Sequence, residues 1–167
     1  MTDILTAQTG PENTVRQDAP TDQHHEQFVS FRVGERIYGV DIMQVREITQ
    51  WAPTTPLPNQ PAHTRGVLNL RGTIVPVHDL RMRFGGPQTE PQSSHVIVIV
   101  SIREKLTGIL VDAVSDIISA VREDILPVPN ASDIDTPAIA GLVNKEETVV
   151  AIIDLDALFP ADRKAAL

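Results

Sequence analysis

From Phe28 onward, apolar residues recur in short blocks with the spacing of strands rather than of helices. Phe28-Val29-Ser30-Phe31-Arg32-Val33 reads as a strand, and Gly34-Glu35-Arg36 as a tight turn into Ile37-Tyr38-Gly39-Val40. The pattern predicts further strands at residues 66–70, 73–77, 96–102, 108–111, 139–143 and 148–153. Arg71-Gly72, the Gly85-Gly86-Pro87 loop and Asn144-Lys145-Glu146-Glu147 supply turn chemistry between them. Residues 41–48 and 112–118 fit either a strand or a helical turn, whereas 79–84 and 154–159 read as short helical turns closing a strand. Many short strands at this spacing point to a mainly β chain, barrels or a sandwich, and not to a βαβ fold.

The blocks also repeat. Gly39-Val-Asp-Ile-Met-Gln-Val45-Arg-Glu47-Ile48 matches Gly108-Ile-Leu-Val-Asp-Ala-Val114-Ser-Asp116-Ile117 at a constant offset of 69, which persists to Leu57-Pro58 against Leu126-Pro127. Residues 66–84 then match 141–159 at an offset of 75, with Gly66/Gly141, Asn69/Asn144, Thr73/Thr148 and Asp79/Asp154 shared. The slip of six falls in the polar loop 129–137, where insertion costs little. One β unit used twice is the expectation.

Composition narrows the picture. Hydrophobic residues make up 41% of the 167 and aromatics only 4%, so the core is mostly Val, Ile and Leu, which favour a pleated surface. Residues 1–26, polar and nearly free of aliphatics after Val15, are expected to be a flexible tail, and 161–167 a short C-terminal one. The formal net charge of −8, with no basic run, argues against nucleic acid, whose binding rests on Lys and Arg neutralising phosphate. It argues equally against an anionic membrane surface. No apolar run approaches the roughly 18–20 residues that span a bilayer, and the start lacks a signal peptide's pattern. With no cysteine there is no disulfide, thiolate zinc site or Cys nucleophile. A cytoplasmic location is expected.

Candidate chemistry is sparse. The sequence has no phosphate-binding glycine loop, GxSxG elbow or HExxH. His24 and His25 lie in the tail, His63 and His95 lack partners at metal-ligand spacing, and His78 stands at an apolar strand position before Asp79. Asp133 and Asp135 form a lone DxD, insufficient for a cation site. No catalytic, metal or cofactor residue is assigned. Arg71 is the sharpest interaction candidate, because its guanidinium can hold a carboxylate or carbonyls in fixed geometry. Two readings stand side by side for it, a partner's anchor or an intramolecular pair with an acid such as Glu47. The repeat places Glu146 at its counterpart, which favours a role special to the first half. The tracts 45–48 and 114–117 occupy equivalent places and read either as core or as two walls of one groove.

Tyr38-Gly39-Val40-Asp41-Ile42, Val45-x-Glu47-Ile48, Leu57-Pro58, Gly66-Val-x-Asn-Leu-Arg71-Gly72-x-Ile-x-Pro76-Val-x-Asp79-Leu-Arg81 and Gly108-x-x-Val111-Asp112-x-Val114-Ser-Asp116 together resemble the signature of the CheW family of bacterial chemotaxis coupling proteins. The likeness runs over residues 27–160, in approximate halves 27–88 and 94–160 with strand exchange between them allowed. It implies two small SH3-like five-stranded β-barrels sharing an apolar core, with short helical turns. It implies no enzymatic activity and no cofactor. The implied role is an adaptor coupling the cytoplasmic tip of methyl-accepting chemoreceptors to the regulatory domain of the histidine kinase CheA, in the cytoplasm and recruited to receptor arrays. Carried over, Val45, Glu47, Gly66, Arg71, Gly72 and Ile117 would line or support the receptor groove, while the kinase-binding residues stay unassigned. His78, and His63-Thr64 before Gly66, depart from the pattern.

Overall fold

The computed structural model describes residues 25–129 and 138–160. Among them lie strands β1 (His25–Val33), β2 (Arg36–Asp41), β3 (Val45–Gln50), β4 (Thr64–Leu70), β5 (Thr73–Asp79), β6 (Val96–Ile102), β7 (Lys105–Val111), β8 (Ala113–Val121), β9 (Ile125–Leu126), β10 (Ile139–Lys145) and β11 (Thr148–Ile153). Two single-turn helices, α1 (Leu80–Arg83) and α2 (Leu155–Leu158), follow β5 and β11. The expected helical turns therefore form, and for the same reason in both halves. Asp79 and Asp154 each cap the turn by accepting hydrogen bonds from backbone N–H groups two and three residues on. The ambiguous tracts part company: Ile42–Gln44 is a 3-10 turn capped by Asp41 before β3, whereas β8 begins directly at Ala113. β1 starts at His25, so two residues assigned to the tail belong to the sheet.

The strands form two sheets, in the orders β3-β6-β7-β5-β4 and β8-β1-β2-β11-β10-β9. The sheets do not follow the sequence halves. Under the repeat offsets β1 matches β6 and β2 matches β7, yet the β1–β2 hairpin lies in the sheet built otherwise from the second half. The β6–β7 hairpin completes the sheet of the first half. Two parallel joints seat the exchanged hairpins, β5 on β7 (Val77↔Gly108) and β11 on β2 (Val150↔Ile37).

Closure differs from the expected pair of five-stranded barrels. Neither sheet is closed by a ladder between its end strands, and one has six strands because the two-residue β9 pairs with β10. The sheets roll up through chain continuity instead. β8 ends at Val121 and β9, at the opposite end of the same sheet, begins at Ile125. A flat six-stranded sheet would separate these ends by about 24 Å, more than the roughly 14 Å that the intervening chain can span. The first sheet uses the same device, with Thr55, five residues beyond β3, bridging Val67 on the far strand β4. Each is a barrel in shape, joined along one side by a bent edge strand.

Three apolar clusters form among the described residues. Val75, Val77, Ile97, Ile99 and Leu110 pack inside the first barrel, and Phe28, Ile118, Ala120, Val143, Val150 and Ile152 inside the second. The third cluster lies between them and draws on both, including Phe31, Val40, Leu80, Val98, Val100, Ile109, Leu155 and Leu158. This explains the unbroken apolar run of β6. Ile97 and Ile99 point into the first barrel while Val98 and Val100 face the shared core, and all four have 0% exposure.

Candidate functional site

The β4–β5 hairpin turns on two residues, Arg71 and Gly72, between paired Leu70 and Thr73. Both have positive φ, 52° and 89°, the geometry whose twist matches a two-residue hairpin. Asn69 supports the turn by accepting a hydrogen bond from the Gly72 N–H at 2.8 Å. An arginine in the left-handed region is disfavoured by its Cβ, so the turn itself does not select this residue. Its side chain is 79% exposed and donates through Nη2 to Glu47 Oε1 at 2.9 Å. Of the two sequence readings the intramolecular pair forms, using one arm of the guanidinium fork.

Glu47 comes from edge strand β3, where a bulge opposite Val100 and Ile99 displaces the register between Val45 and Glu47. Val45 is half-buried against the shared core, whereas Ile48 is 44% exposed. On β8 the same division recurs. Val114 packs against the shared core, and Ile117 is 53% exposed. The tracts 45–48 and 114–117 are thus neither wholly core nor wholly surface, and they converge on one cluster through Val45 and Val114.

Gly66 acts on the backbone. With φ at 132°, a Cβ there would lie 2.4 Å from the Thr55 carbonyl oxygen, so the absence of a side chain lets the bent edge strand close on β4. Gly141 does the same in the second barrel, where a Cβ would lie 2.5 Å from Ile125 Cγ2. Gly66 is itself buried, and Gly72 serves the turn. The structure therefore joins Glu47 and Arg71 directly, keeps Val45, Gly66 and Gly72 on the same barrel, and puts Ile117 on the second.

Among the ion pairs that the sequence does not reveal, one mirrors Arg71–Glu47. Lys145 Nζ, at the end of β10, lies 2.7 Å from Asp116 Oδ2 on β8. The hydrogen bond from Lys145, helped by the Ile117 N–H, holds the Asp116 carboxyl below its ordinary pKa. Asp116 is the repeat counterpart of Glu47, so both barrels tether an edge-strand acid to a cation at a hairpin end. The alignment concealed this because the cation moved by one residue, from the position of Arg71 to the one before Glu146.

The histidines that depart from the family pattern sit together elsewhere. His78 stacks on Phe159 with ring centroids 4.8 Å apart, lies 5.2 Å from the His63 ring, and places Nδ1 3.1 Å from Thr64 Oγ1. Burial foremost, with the nearby His63 and Arg83, lowers the His78 pKa to about 4. Burial and Arg83 lower that of His63 against a smaller opposing pull from Asp79. Asp79 itself is fully buried and accepts from the Thr89 N–H at 2.7 Å and the Thr89 hydroxyl at 2.8 Å. These are structural arrangements. Among the described residues no group of three His, Cys, Asp or Glu is placed to hold a metal, and no helix is long and apolar enough to cross a membrane. Asp133 and Asp135 lie outside the described residues.

The large apolar side chains left exposed follow the repeat. Among the described residues Ile48 and Ile117, Leu57 and Leu126, and Ile74 and Val149 are three counterpart pairs, and only Met43 of the exposed large hydrophobics stands alone. Scattered surface hydrophobics would not recur in this way.

Comparison with known proteins fits this architecture. A family model described as the CheW-like domain matches residues 27–163. A chemotaxis protein CheW of Rhizobium meliloti is 40% identical over 141 residues, covering 84% of this chain and 91% of the relative. One from Klebsiella aerogenes is 33% identical over 141 residues, covering 84% and 85%. The crystal structure of the scaffolding protein TtCheW from Thermoanaerobacter tengcongensis superposes with a TM-score of 0.75 at 34% identity, covering 82% of this chain and 94% of that one.

Proposed function

The chain belongs to the CheW-like domain family and is a chemotaxis coupling adaptor; from that premise we propose that it joins a chemoreceptor to the kinase CheA without catalysing a reaction. The receptor's cytoplasmic hairpin tip sits at the groove whose residues are Val45, Glu47, Gly66, Arg71, Gly72 and Ile117. Arg71 offers the tip its unused fork arm, and Ile48 and Ile117 offer apolar contact. CheA's regulatory domain docks elsewhere on the exposed barrel strands. The complex assembles in the cytoplasm and is recruited to receptor arrays.

The observation that carries this reading is the recurrence of exposed apolar residues at counterpart positions of both barrels. Ile48 and Ile117 serve the receptor tip, which leaves the Leu57/Leu126 and Ile74/Val149 pairs for a second partner. Simultaneous engagement then raises each partner's effective concentration, so modest contacts build a durable assembly. Signal passes when reseating of the receptor tip shifts the kinase between pre-existing states.

The test uses Arg71→Glu, an exposed change expected to leave the fold intact. The variant should lose binding to a soluble chemoreceptor hairpin fragment and lose kinase activation in a reconstituted receptor–kinase mixture. Binding to the kinase regulatory domain should persist. A folded variant that binds the receptor fragment and activates the kinase normally overturns the groove assignment.

A further inference from the structure

The two barrels present the same three-part arrangement. In the first, Glu47 on an edge strand is held by the hairpin cation Arg71 at 2.9 Å, next to exposed Ile48. In the second, Asp116 on the counterpart edge strand is held by Lys145 at 2.7 Å, next to exposed Ile117. The acids and isoleucines are repeat counterparts; the cations are not, since Arg71 aligns with Glu146 and Lys145 with Leu70. The second barrel has thus regained, from a neighbouring position, a cation that the duplication did not preserve. Barrel closure alone explains this poorly. Asp116 is 66% exposed and Lys145 38% exposed, and pairs this open to water contribute little to stability.

We infer that Lys145, over Asp116 and beside Ile117, is a second cationic seat in the groove and takes a carboxylate on one flank of the helical hairpin whose other flank meets Arg71. The inference rests on the receptor-groove reading and extends it to the second barrel. A hairpin of two antiparallel helices fits two like seats because it offers an apolar seam with a polar flank on either side. The chemistry at the seats differs in a useful way. Arg71 presents a planar fork that demands one orientation, whereas the Lys145 ammonium is a point charge on a flexible stem. The first fixes the hairpin's register and the second admits variation among receptors. Partner carboxylates replace solvent at the outer side of each cation, and the internal acid keeps the cation in place.

The experiment titrates a soluble cytoplasmic hairpin of a methyl-accepting chemoreceptor against wild type, R71E, K145E and the charge-swapped pair D116K/K145E. The kinase regulatory domain serves as the second ligand, and thermal melting follows each fold. K145E is expected to weaken hairpin binding about tenfold and to leave kinase-domain binding within about twofold. The swapped pair rebuilds the internal ion pair with its sign reversed, so melting should match the wild-type value while hairpin binding stays weak. Wild-type hairpin affinity in K145E, alongside loss in R71E, overturns the inference and leaves the groove reading standing. Recovery of binding in the swapped pair also overturns it, because Lys145 would then act only as a staple. Wild-type binding in both R71E and K145E removes the groove reading and the inference together.

Discussion

Exchanging His78 for isoleucine should make the protein less sensitive to acid. Ile153 already holds the counterpart place on β11, so the substitution installs in the first barrel what the second uses. In the wild type, burial and the neighbours His63 and Arg83 lower the imidazole pKa from 6.5 to about 4. The unfolded chain takes up this proton near pH 6.5 and the folded chain only near pH 4. Stability from the neutral ring is therefore complete above pH 6.5 and is lost as the pH falls through 4. At about 1.4 kcal/mol per pKa unit the whole gap is worth about 3 kcal/mol, of which roughly 2 is lost by pH 5. Urea unfolding of both proteins at pH 7.5, 6 and 5 measures it. Carboxylate titration is common to the two, so the difference between their pH profiles isolates the ring. The wild type should lose about 2 kcal/mol more than His78→Ile between pH 7.5 and 5. Parallel profiles would refute the reasoning, since the buried ring would then cost nothing to protonate.

Other substitutions probe the devices that build the barrels. Gly66→Ala drives a Cβ into the Thr55 carbonyl and should cost about 3 kcal/mol, whereas Gly72→Ala, with open space around it, should cost about 1 from φ strain alone; thermal melting ranks the two. Asp79→Ala removes a buried acceptor of two helix N–H groups and both Thr89 donors, an expected loss of about 3 kcal/mol. Its exposed counterpart Asp154→Ala loses only a cap, about 1 kcal/mol, and urea midpoints compare them. Ile99→Ala opens the interior of the first barrel and should cost about 3 kcal/mol, while Ile74→Ala, 60% exposed, should stay within about 0.5 in the same assay.

Local chemistry was legible in the sequence wherever it depends on neighbours along the chain. Asp79 and Asp154 announced their helical turns, and Arg71-Gly72 announced a hairpin. Gly66 and Gly141 stand out in the sequence only as shared positions of the repeat, and the structure shows what they meet, the Thr55 carbonyl and the Ile125 side chain. Pairing between distant strands was less visible, because a strand's alternation tells which face is buried and not which neighbour it has. The closure by bent edge strands was missed for the same reason, since β9 is two residues long and Thr55 makes a single bridge. The turn Arg103-Glu104 carries positive φ at both residues without glycine or asparagine and gave no signal. At the site, the sequence offers Glu47 as an acid to pair with Arg71, and the structure joins them. Lys145 is hidden in the sequence because strict alignment compares position with position, while an ion pair needs only that the charges arrive together.

The exchanged hairpins give the molecule a timetable during synthesis. The β1–β2 hairpin leaves the ribosome first, but its sheet partners β8 and β11 are translated only by residues 121 and 153. The first barrel also waits, for β7, which ends at residue 111. Phe28, Phe31 and Val40, buried in the finished protein, thus stay uncovered while most of the chain is made. Contacts so distant in sequence make for slow folding, with loop closure preceding any reward. Cutting the gene between the two repeats would yield fragments that each lack a hairpin and hold a spare one, and mixing them should rebuild the fold by mutual complementation.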